Sequence, residues 1–348
     1  MTWRKRLTRF RKEAIRRCRA TPTGRAMLSA AAVAKEPLDY YQRRRTAVRY
    51  NQRYPSNCMP AEEGYVLLPA GSLPGTPEII DTCRRLFIVK KAALEAAART
   101  GEAAIRQPSP GPLSRQRKDA IRQQRREAIR RQRHEARREQ RTKQGFLWDL
   151  LDNDDLRANP ELVDFALSDP LFSIVTDYLG VIPSLTHIDL VYSIPRLTPD
   201  EHIASQLFHQ DPEGLTQAKV FLNVFDVDDA HGPLTFIPAR QSERMVTAIQ
   251  QHRRHSGARD EYRYSDEEVN AHGGAGATFR LTGPAGTAAI VDTSRCIHAG
   301  SRLRPGYFRL CLFLQYCTSR QKGHTFDARR FRNDPVRWLA VKRSAAAG

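Results

Sequence analysis

The sequence lacks several features that would place it in a common class of protein. No uninterrupted apolar run approaches the roughly 20 residues that a membrane-spanning helix needs, which excludes a helical membrane protein. The six cysteines are scattered and include no CxxC pair, so we expect reduced thiols in a cytoplasmic protein, not disulfides or a zinc site. There is no GxSxG nucleophile elbow and no phosphate-binding loop, which excludes two further enzyme classes.

Acidic residues are scarce in the first part of the chain. Residues 1–145 contain 35 Lys and Arg against 13 Asp and Glu, a balance of +22, whereas residues 146–348 have a balance of −3. The overall charge of +19 points first to nucleic acid or another anionic partner. A nucleic-acid-binding or scaffold protein is therefore one hypothesis, although residues 101–145 show no zinc-finger spacing and little aromatic interleaving.

Changes in composition divide the chain into regions. Residues 1–60 are interpreted as a solvated basic arm, and an organellar targeting peptide is the alternative because the segment is rich in Arg and poor in acids. Residues 61–348 form the main domain. Within it, residues 101–145 are predicted to be an Arg-rich helical insertion, either an exposed helix or an arm that binds an anionic partner.

Outside the insertion, the sequence predicts short strands with flanking helices. The predicted helices cover 77–100, 146–157, 160–179 and 241–255. The predicted strands cover 64–69, 186–195, 218–228, 233–238, 286–292 and 307–317. Many short strands separated by Gly/Pro turns, with no βαβ alternation after residue 186, indicate an antiparallel sandwich or barrel.

A His-x-Asp pair carries the first chemical signal. On a strand, residues two apart project to the same side, so His209 and Asp211 can present a ring nitrogen and a carboxylate oxygen to one metal ion. Such a pair supplies two of the three ligands of the two-His, one-carboxylate triad that binds Fe(II) with open positions. The chain also contains His187-Ile-Asp189, so the pattern alone does not choose between the two pairs.

A later histidine and an arginine add to this signal. His298 follows an apolar strand, and Arg309 comes eleven residues later inside another one, where period two places Arg309, Cys311, Phe313 and Gln315 on one face. A guanidinium buried in this way is costly without an anionic partner, and the planar fork of Arg fits a small dicarboxylate. The alternative is an arginine that pairs with a structural Asp or reaches solvent.

The order FHQD, then FDVDDAHGPLTFIPARQ, then DTSRCIHAGSRLRPGYFRL resembles the phytanoyl-CoA dioxygenase-like family of Fe(II)/2-oxoglutarate-dependent oxygenases. The resemblance covers residues 185–320, and GYVLLP at 64–69 looks like the opening strand of that family. It implies a mainly β fold with flanking helices, in which a double-stranded β-helix, a cupin-like jelly roll of eight core strands, holds iron at one open end.

The same resemblance implies a function. It makes His209, Asp211 and His298 the iron ligands and Arg309 the residue that binds the distal carboxylate of 2-oxoglutarate. The implied reaction uses Fe(II), O2 and 2-oxoglutarate to hydroxylate a small organic substrate, with release of succinate and CO2. Relatives that halogenate lack the carboxylate of the HxD pair, so Asp211 favours oxygen insertion over halogenation.

Two further residues are candidates for cosubstrate binding. Lys219 falls on the strand that lines the pocket in relatives, where it either binds the cosubstrate or faces water at the strand edge. Many relatives place a hydroxyl two residues past the distal histidine, but that position is Gly300 here. The neighbouring Ser301 is the candidate replacement.

Overall fold

The computed structural model describes most of the chain. It covers residues 36–56, 58–100 (backbone only from 94), 146–195, 202–211, 216–256, 263–274, 276–320 and 323–342, with a few positions between 24 and 34. The predicted Arg-rich insertion at 101–145 lies outside the described residues, as does most of the first part of the predicted basic arm. Among the helices in the described ranges, none combines the length and the apolar character needed to cross a membrane.

The described strands form two antiparallel sheets. They are β1 (Tyr65–Leu68), β2 (Leu147–Asp149), β3 (Ser184–Ser193), β4 (Phe208–His209), β5 (Gln217–Asn223), β6 (Thr235–Phe236), β7 (Arg263–Tyr264), β8 (Phe279–Arg280), β9 (Ala288–Val291), β10 (His298–Ala299) and β11 (Arg309–Cys317). The larger sheet has the order β1-β9-β5-β11-β3-β2, and the smaller sheet has the order β7-β4-β10-β6-β8. Pairs are antiparallel throughout both sheets.

The order of these strands is that of a double-stranded β-helix. From β3 onward the chain passes repeatedly between the sheets, with β3, β5, β9 and β11 in the larger sheet and β4, β6, β8 and β10 in the smaller one. Strands β6, β7 and β8 follow one another within the smaller sheet. Each sheet therefore contains strands that are neighbours in space but distant in sequence, as a jelly roll requires. Strands β1, β2 and β7 extend the edges of this eight-strand core. The predicted fold class is confirmed by this pairing.

Helices flank the sheets. They are α1 (Pro37–Arg53), α2 (Thr76–Thr100), α3 (Asn153–Ala158), α4 (Glu161–Ala166), α5 (Asp169–Leu179), α6 (Ala239–His255), α7 (Asp266–Ala271) and α8 (Pro335–Val341). Their ends follow from local sequence: Asp334 accepts backbone hydrogen bonds at the start of α8, and Gly180 ends α5 in the left-handed conformation. The helices predicted at 77–100 and 241–255 are confirmed as α2 and α6.

The main hydrophobic core lies between the outer face of the larger sheet and these helices. Alternate residues of β11, such as Leu312 and Leu314, are fully buried there, together with Val220 of β5 and Phe172 of α5. The other face of the same strands points towards the smaller sheet. Burying one face against helices therefore leaves the inner face available for polar and functional side chains.

Two predicted helices differ from the structure. The range predicted as one helix over 146–157 begins with β2, because Leu147–Asp149 pairs with the edge of β3, and only Asn153–Ala158 is helical. The range predicted as one helix over 160–179 is two helices, α4 and α5. Pro170 explains the break between α4 and α5, because proline has no N–H to continue the helical hydrogen bonds to Ala166 and is tolerated in the first turn of a helix, where it lies in α5.

The described part of the basic arm is not solvated throughout, which corrects the interpretation of residues 1–60. Helix α1 packs on the domain, with Arg43, Ala47 and Tyr50 buried. The Arg43 guanidinium donates to the carbonyl oxygen of Ile182 at 3.0 Å, and the Tyr50 hydroxyl donates to Asp169 at 2.9 Å. The arm therefore contributes to the fold from residue 37 onward.

The burial of Leu312 gives a test of this architecture. Leu312→Ala removes a fully buried side chain from the central strand β11, so we expect the free energy of unfolding to fall by about 2–5 kcal/mol. The control Val48→Ala changes an exposed residue of α1 and should alter the unfolding free energy by about 0.5 kcal/mol or less. Urea unfolding followed by circular dichroism measures both, and similar losses for the two variants would contradict this core.

Candidate metal centre

Two very short strands bring the candidate histidines together. Strand β4 pairs with β10 so that His209 stands directly opposite His298, and their ring centroids are 4.3 Å apart. Asp211 follows β4, and its backbone N–H donates to the carbonyl oxygen of Thr293 at 2.8 Å, which fixes the carboxylate beside the two rings. Ligand atoms of His209, Asp211 and His298 all lie within 4.8 Å of one another.

Hydrogen bonds orient both imidazole rings. Nδ1 of His209 lies 2.9 Å from the carbonyl oxygen of Leu207, and Nδ1 of His298 lies 3.1 Å from that of Cys296. A carbonyl oxygen only accepts, so each Nδ1 carries a proton, and each Nε2 faces the centre of the cluster. Burial, and then the neighbouring His298, lower the pKa of His209 to about 3, so His209 is a neutral ligand at ordinary pH.

The carboxylate of Asp211 is ionised. Burial alone would raise its pKa, but the Lys219 ammonium at 2.6 Å and the nearby His298 ring hold the pKa well below its usual range. Its oxygens lie 3.8 Å from Nε2 of His209 and 3.3 Å from Nε2 of His298. Two imidazoles and one carboxylate form the donor set that suits a non-heme Fe(II) site, so the residues present fit such an ion.

The structure separates the two His-x-Asp pairs. Asp189 accepts hydrogen bonds from the backbone N–H groups of Leu151 and Leu190, both at 3.2 Å, and thereby ties the segment after β2 to β3. The His187 ring lies 5.4 Å from that of His324. Neither residue belongs to the His/Asp cluster found among the described residues. The pair at 187 and 189 is therefore not the one that joins His298.

Arg309 begins β11 as a buried cation. Its Nη1 donates to the carbonyl oxygen of Gly232 at 2.7 Å and its Nη2 to Oγ of Ser301 at 3.2 Å. Nε has no hydrogen-bond partner, and no acidic side chain forms a salt bridge with this guanidinium, within the ranges that the structure describes. Burial lowers the pKa of Arg309 from its ordinary value. Among the described residues, Arg309 therefore neither pairs with a structural Asp nor reaches solvent, which were the alternatives predicted from the sequence.

The backbone next to Arg309 explains the glycine at position 300. A Cβ on Gly300 would lie 3.3 Å from Nη2 of Arg309, so a larger side chain would crowd the guanidinium. Ser301 adopts a left-handed conformation with φ of 60°, which is uncommon outside glycine. Its hydroxyl meets both Arg309 and, at 3.0 Å, the hydroxyl of Ser193. The hydroxyl predicted to replace the missing one at 300 therefore does reach the arginine.

Lys219 is buried, so the predicted alternative of a strand-edge lysine that faces water is wrong. Strand β5 lies inside the larger sheet, and register places Lys219 opposite Gln315 of β11. Its ammonium contacts Asp211 and lies 5.3 Å from the ring centroid of Phe313. The predicted common face of Lys219, Phe221 and Asn223 is confirmed by their register with Gln315, Phe313 and Cys311.

Several groups that hold these residues in place were not predicted from the sequence. Asp292 is fully buried and accepts hydrogen bonds from the Tyr178 hydroxyl at 2.7 Å and from Ser294, at the start of the loop that leads to His298. The Gln217 side chain donates to the Thr293 hydroxyl at 3.0 Å in the same loop. Tyr178 and Gln217 are distant in sequence from this loop, so no local pattern indicates their contacts.

Comparisons with known proteins give structural similarity only. No protein-family model matches the chain, and no curated protein matches it either. The alpha-ketoglutarate-dependent carbocyclase SnoK from nogalamycin biosynthesis is 13% identical, over 82% of this chain and 89% of its own, with a TM-score of 0.41. The epimerase SnoN, in complex with Fe3+, alpha ketoglutarate and nogalamycin RO, is 14% identical over 80% and 86%, with a TM-score of 0.40. EctD from S. alaskensis with bound Fe is 14% identical over 76% of each chain, with a TM-score of 0.39.

The cluster geometry predicts which substitutions abolish metal binding. His209→Ala and His298→Ala each remove one of the three converging ligands, so we expect Fe(II) affinity to fall by about 100-fold or more. His187→Ala is the matched control, because it changes the histidine of the other pair, and should leave affinity unchanged. Anaerobic isothermal titration calorimetry measures all three variants. An equal loss in the His187→Ala variant would show that the wrong pair has been chosen.

The buried Asp292 predicts a pH-dependent stability effect. Burial raises the pKa of Asp292 above its ordinary value, and the Tyr178 hydrogen bond acts in the opposite direction. A carboxyl with a raised pKa binds its proton more tightly when folded, so it destabilises the fold increasingly as pH rises above the unfolded-state pKa. Tyr178→Phe should raise that pKa further.

We therefore expect Tyr178→Phe to lower the free energy of unfolding by about 1–3 kcal/mol at pH 8 and by less at pH 4.5. Urea unfolding at both pH values measures the difference. The control Tyr41→Phe changes an exposed tyrosine of α1 and should show no pH-dependent loss. A loss for Tyr178→Phe that is larger at pH 4.5 would contradict the assignment.

Proposed function

We propose that this chain is an Fe(II)- and 2-oxoglutarate-dependent oxygenase that hydroxylates a small organic substrate. One observation carries the proposal: a buried arginine, with no acidic partner among the described residues, lies beside a cluster of two histidines and one carboxylate. Gly300, two residues after His298, is in contact range of the Arg309 guanidinium, so cation and cluster belong to one site. A keto acid that binds a metal ion at one end needs a second site nearby for its free distal carboxylate. The cluster and the buried arginine together meet both needs.

In this proposal His209, Asp211 and His298 hold the iron. When bound, iron supplies the redox chemistry by which O2 and 2-oxoglutarate oxidise a substrate C–H bond, with the alcohol, succinate and CO2 as products. The protein orients both imidazoles through the carbonyl oxygens of Leu207 and Cys296. Burial keeps His209 neutral, so this ligand has no proton to lose before binding. Only three protein ligands are present in the described cluster, which leaves positions for the keto acid and O2.

Arg309 binds the distal carboxylate of 2-oxoglutarate in this scheme. Its guanidinium is already held by Gly232 and Ser301, so the fork is oriented before the anion arrives. The hydroxyl of Ser301 lies within reach of the same group and is proposed as a second contact to that carboxylate. Because the guanidinium is buried, a charge-assisted hydrogen bond to it is stronger than one at the surface.

Lys219 is proposed to contact the cosubstrate at its metal-proximal end. Its ammonium already lies at the cluster, 2.6 Å from the Asp211 carboxylate, and is buried with it. A cation at this position also balances the charge of Asp211 and of an incoming carboxylate. The hypothesis of a nucleic-acid-binding scaffold rests on the basic excess of residues 1–145. Of these, residues 101–145 lie outside the described residues.

Substitution of Arg309 tests the cosubstrate assignment. Arg309→Met should weaken 2-oxoglutarate binding by about 10- to 100-fold, the loss expected for hydrogen bonds to a charged group, and should leave Fe(II) binding intact. The control Arg304→Met removes an exposed arginine five residues earlier and should bind 2-oxoglutarate like the wild type. Anaerobic addition of 2-oxoglutarate to the Fe(II) protein, followed by its visible charge-transfer band, measures the affinity.

Two outcomes would overturn the proposal. The wild-type protein should bind Fe(II) and 2-oxoglutarate and form succinate in air, and absence of all three would show that the class is wrong. Equal 2-oxoglutarate affinity in Arg309→Met and wild type would show that the buried arginine serves another purpose. Incorporation of an oxygen atom from labelled O2 into an organic product distinguishes hydroxylation from other oxidations.

A further inference from the structure

Two phenylalanines adjoin the metal centre on the inner face of the larger sheet. Register places Phe221 of β5 directly opposite Phe313 of β11, and their rings meet edge to face with centroids 5.5 Å apart. Along their strands, Phe221 and Phe313 lie two residues from the cross-strand pair Lys219 and Gln315. The Lys219 ammonium contacts the Asp211 carboxylate and lies 5.3 Å from the ring centroid of Phe313. The two phenylalanines therefore form a wall next to the cluster.

This wall is accessible, although the strands that carry it are central. Phe221 and Phe313 are each partly exposed, whereas the residues before and after them, such as Val220 and Leu314, are completely buried. Strands β5 and β11 have neighbours on both sides, and helices cover the outer face of their sheet. The accessible surface of the two rings therefore belongs to the space between the sheets, where a substrate would approach the metal.

A second apolar group lies on the other side of His298. Phe236 stands opposite His298 in the smaller sheet, and its ring stacks on Phe279 with centroids 5.8 Å apart. Tyr65 contacts both rings at 5.0 Å. Phe279 is 37% exposed, so this group also keeps apolar surface open to solvent.

The polar groups on the same inner face already have partners. Lys219 pairs with Asp211, and Arg309 is held by Gly232 and Ser301 and is assigned to the cosubstrate. The Asn223 side chain donates to the carbonyl oxygen of Leu281. What the described walls offer to a further molecule is therefore mainly aromatic surface.

We infer that the primary substrate presents an uncharged, apolar ring system to the metal centre, held against Phe221 and Phe313. This inference rests on the proposed function, because it assigns the substrate side of the same site. Aromatic pairs gain stabilisation beyond the area they bury, and an anionic group would lose its hydration at these rings without gaining a partner. A cationic group would be repelled by the Lys219 ammonium, which already lies 5.3 Å from the Phe313 ring centroid. The two rings therefore select both for shape and against charge.

Neutral and charged probes with one ring system test the inference. N-phenyl-1-naphthylamine, a neutral dye that fluoresces in apolar sites, should bind the Fe(II)- and 2-oxoglutarate-loaded protein under anaerobic conditions. Phe221→Ser and Phe313→Ser should each weaken dye binding by about tenfold, as expected for the loss of one aromatic contact. The control Tyr41→Ser changes an exposed aromatic residue of α1 and should have no effect.

Competition against the dye then separates charge from shape. We expect 2-naphthol to displace the dye at least tenfold more effectively than 2-naphthoate or 2-naphthylmethylamine. These two competitors share the naphthalene ring system of 2-naphthol but carry a charge. Equal displacement by the charged probes, or dye binding unaffected by both Ser variants, would overturn the inference. The same variants should keep the charge-transfer band formed with 2-oxoglutarate. Loss of that band together with dye binding would assign the rings to the cosubstrate and not to the substrate.

Discussion

The pairing of β4 with β10 is the interaction on which the candidate site depends. Each strand is only two residues long, yet this single register places His209 opposite His298. A shift of one residue would turn both side chains to the other face of the smaller sheet, since strand side chains alternate. Such short strands cannot fix their own register, so the loops around them must do it.

Buried polar contacts supply that constraint. The backbone of Asp211 is bound to Thr293, and the N–H of Ile297 donates to the Ser242 hydroxyl of α6 at 2.9 Å. Asp292, next to Thr293, is held by Tyr178 of α5. These contacts join the loop before His298 to α5 and α6. Because a buried polar group without a partner costs free energy, any displaced register would leave several of them unsatisfied.

Features of this arrangement that depend on neighbouring residues could be predicted from the sequence. Features that depend on contacts between residues far apart in the chain could not. Strand alternation is local, so it correctly placed Arg309, Phe313 and Gln315 on one face of β11 and predicted the His209–Asp211 pair. The choice between the two His-x-Asp pairs came from the later part of the chain, through resemblance. Features determined by distant contacts were missed. The segment Leu147–Asp149 is a strand because the edge of β3 is open to it, and α1 is anchored by a carbonyl 139 residues away.

The distribution of charge gives Arg309 its distinct chemical role. Most other partly or fully buried arginines of the described ranges form salt bridges with acids: Arg43 and Arg320 with Asp39, Arg253 with Glu268, Arg295 with Glu243, Arg302 with Asp266, and Arg337 with Asp169. Arg84, which is only partly buried, donates to the carbonyl oxygen of Val224 instead. In each salt bridge an acid offsets charge of the arginine. Arg309 is buried and has only a carbonyl and a hydroxyl as partners among the described residues, so no acid offsets its charge inside the domain. The basic excess of the sequence lies in residues 1–145, but this cation comes from the slightly acidic remainder. Burial without an acidic partner, and not net charge, is therefore what makes this one arginine a candidate ligand-binding group.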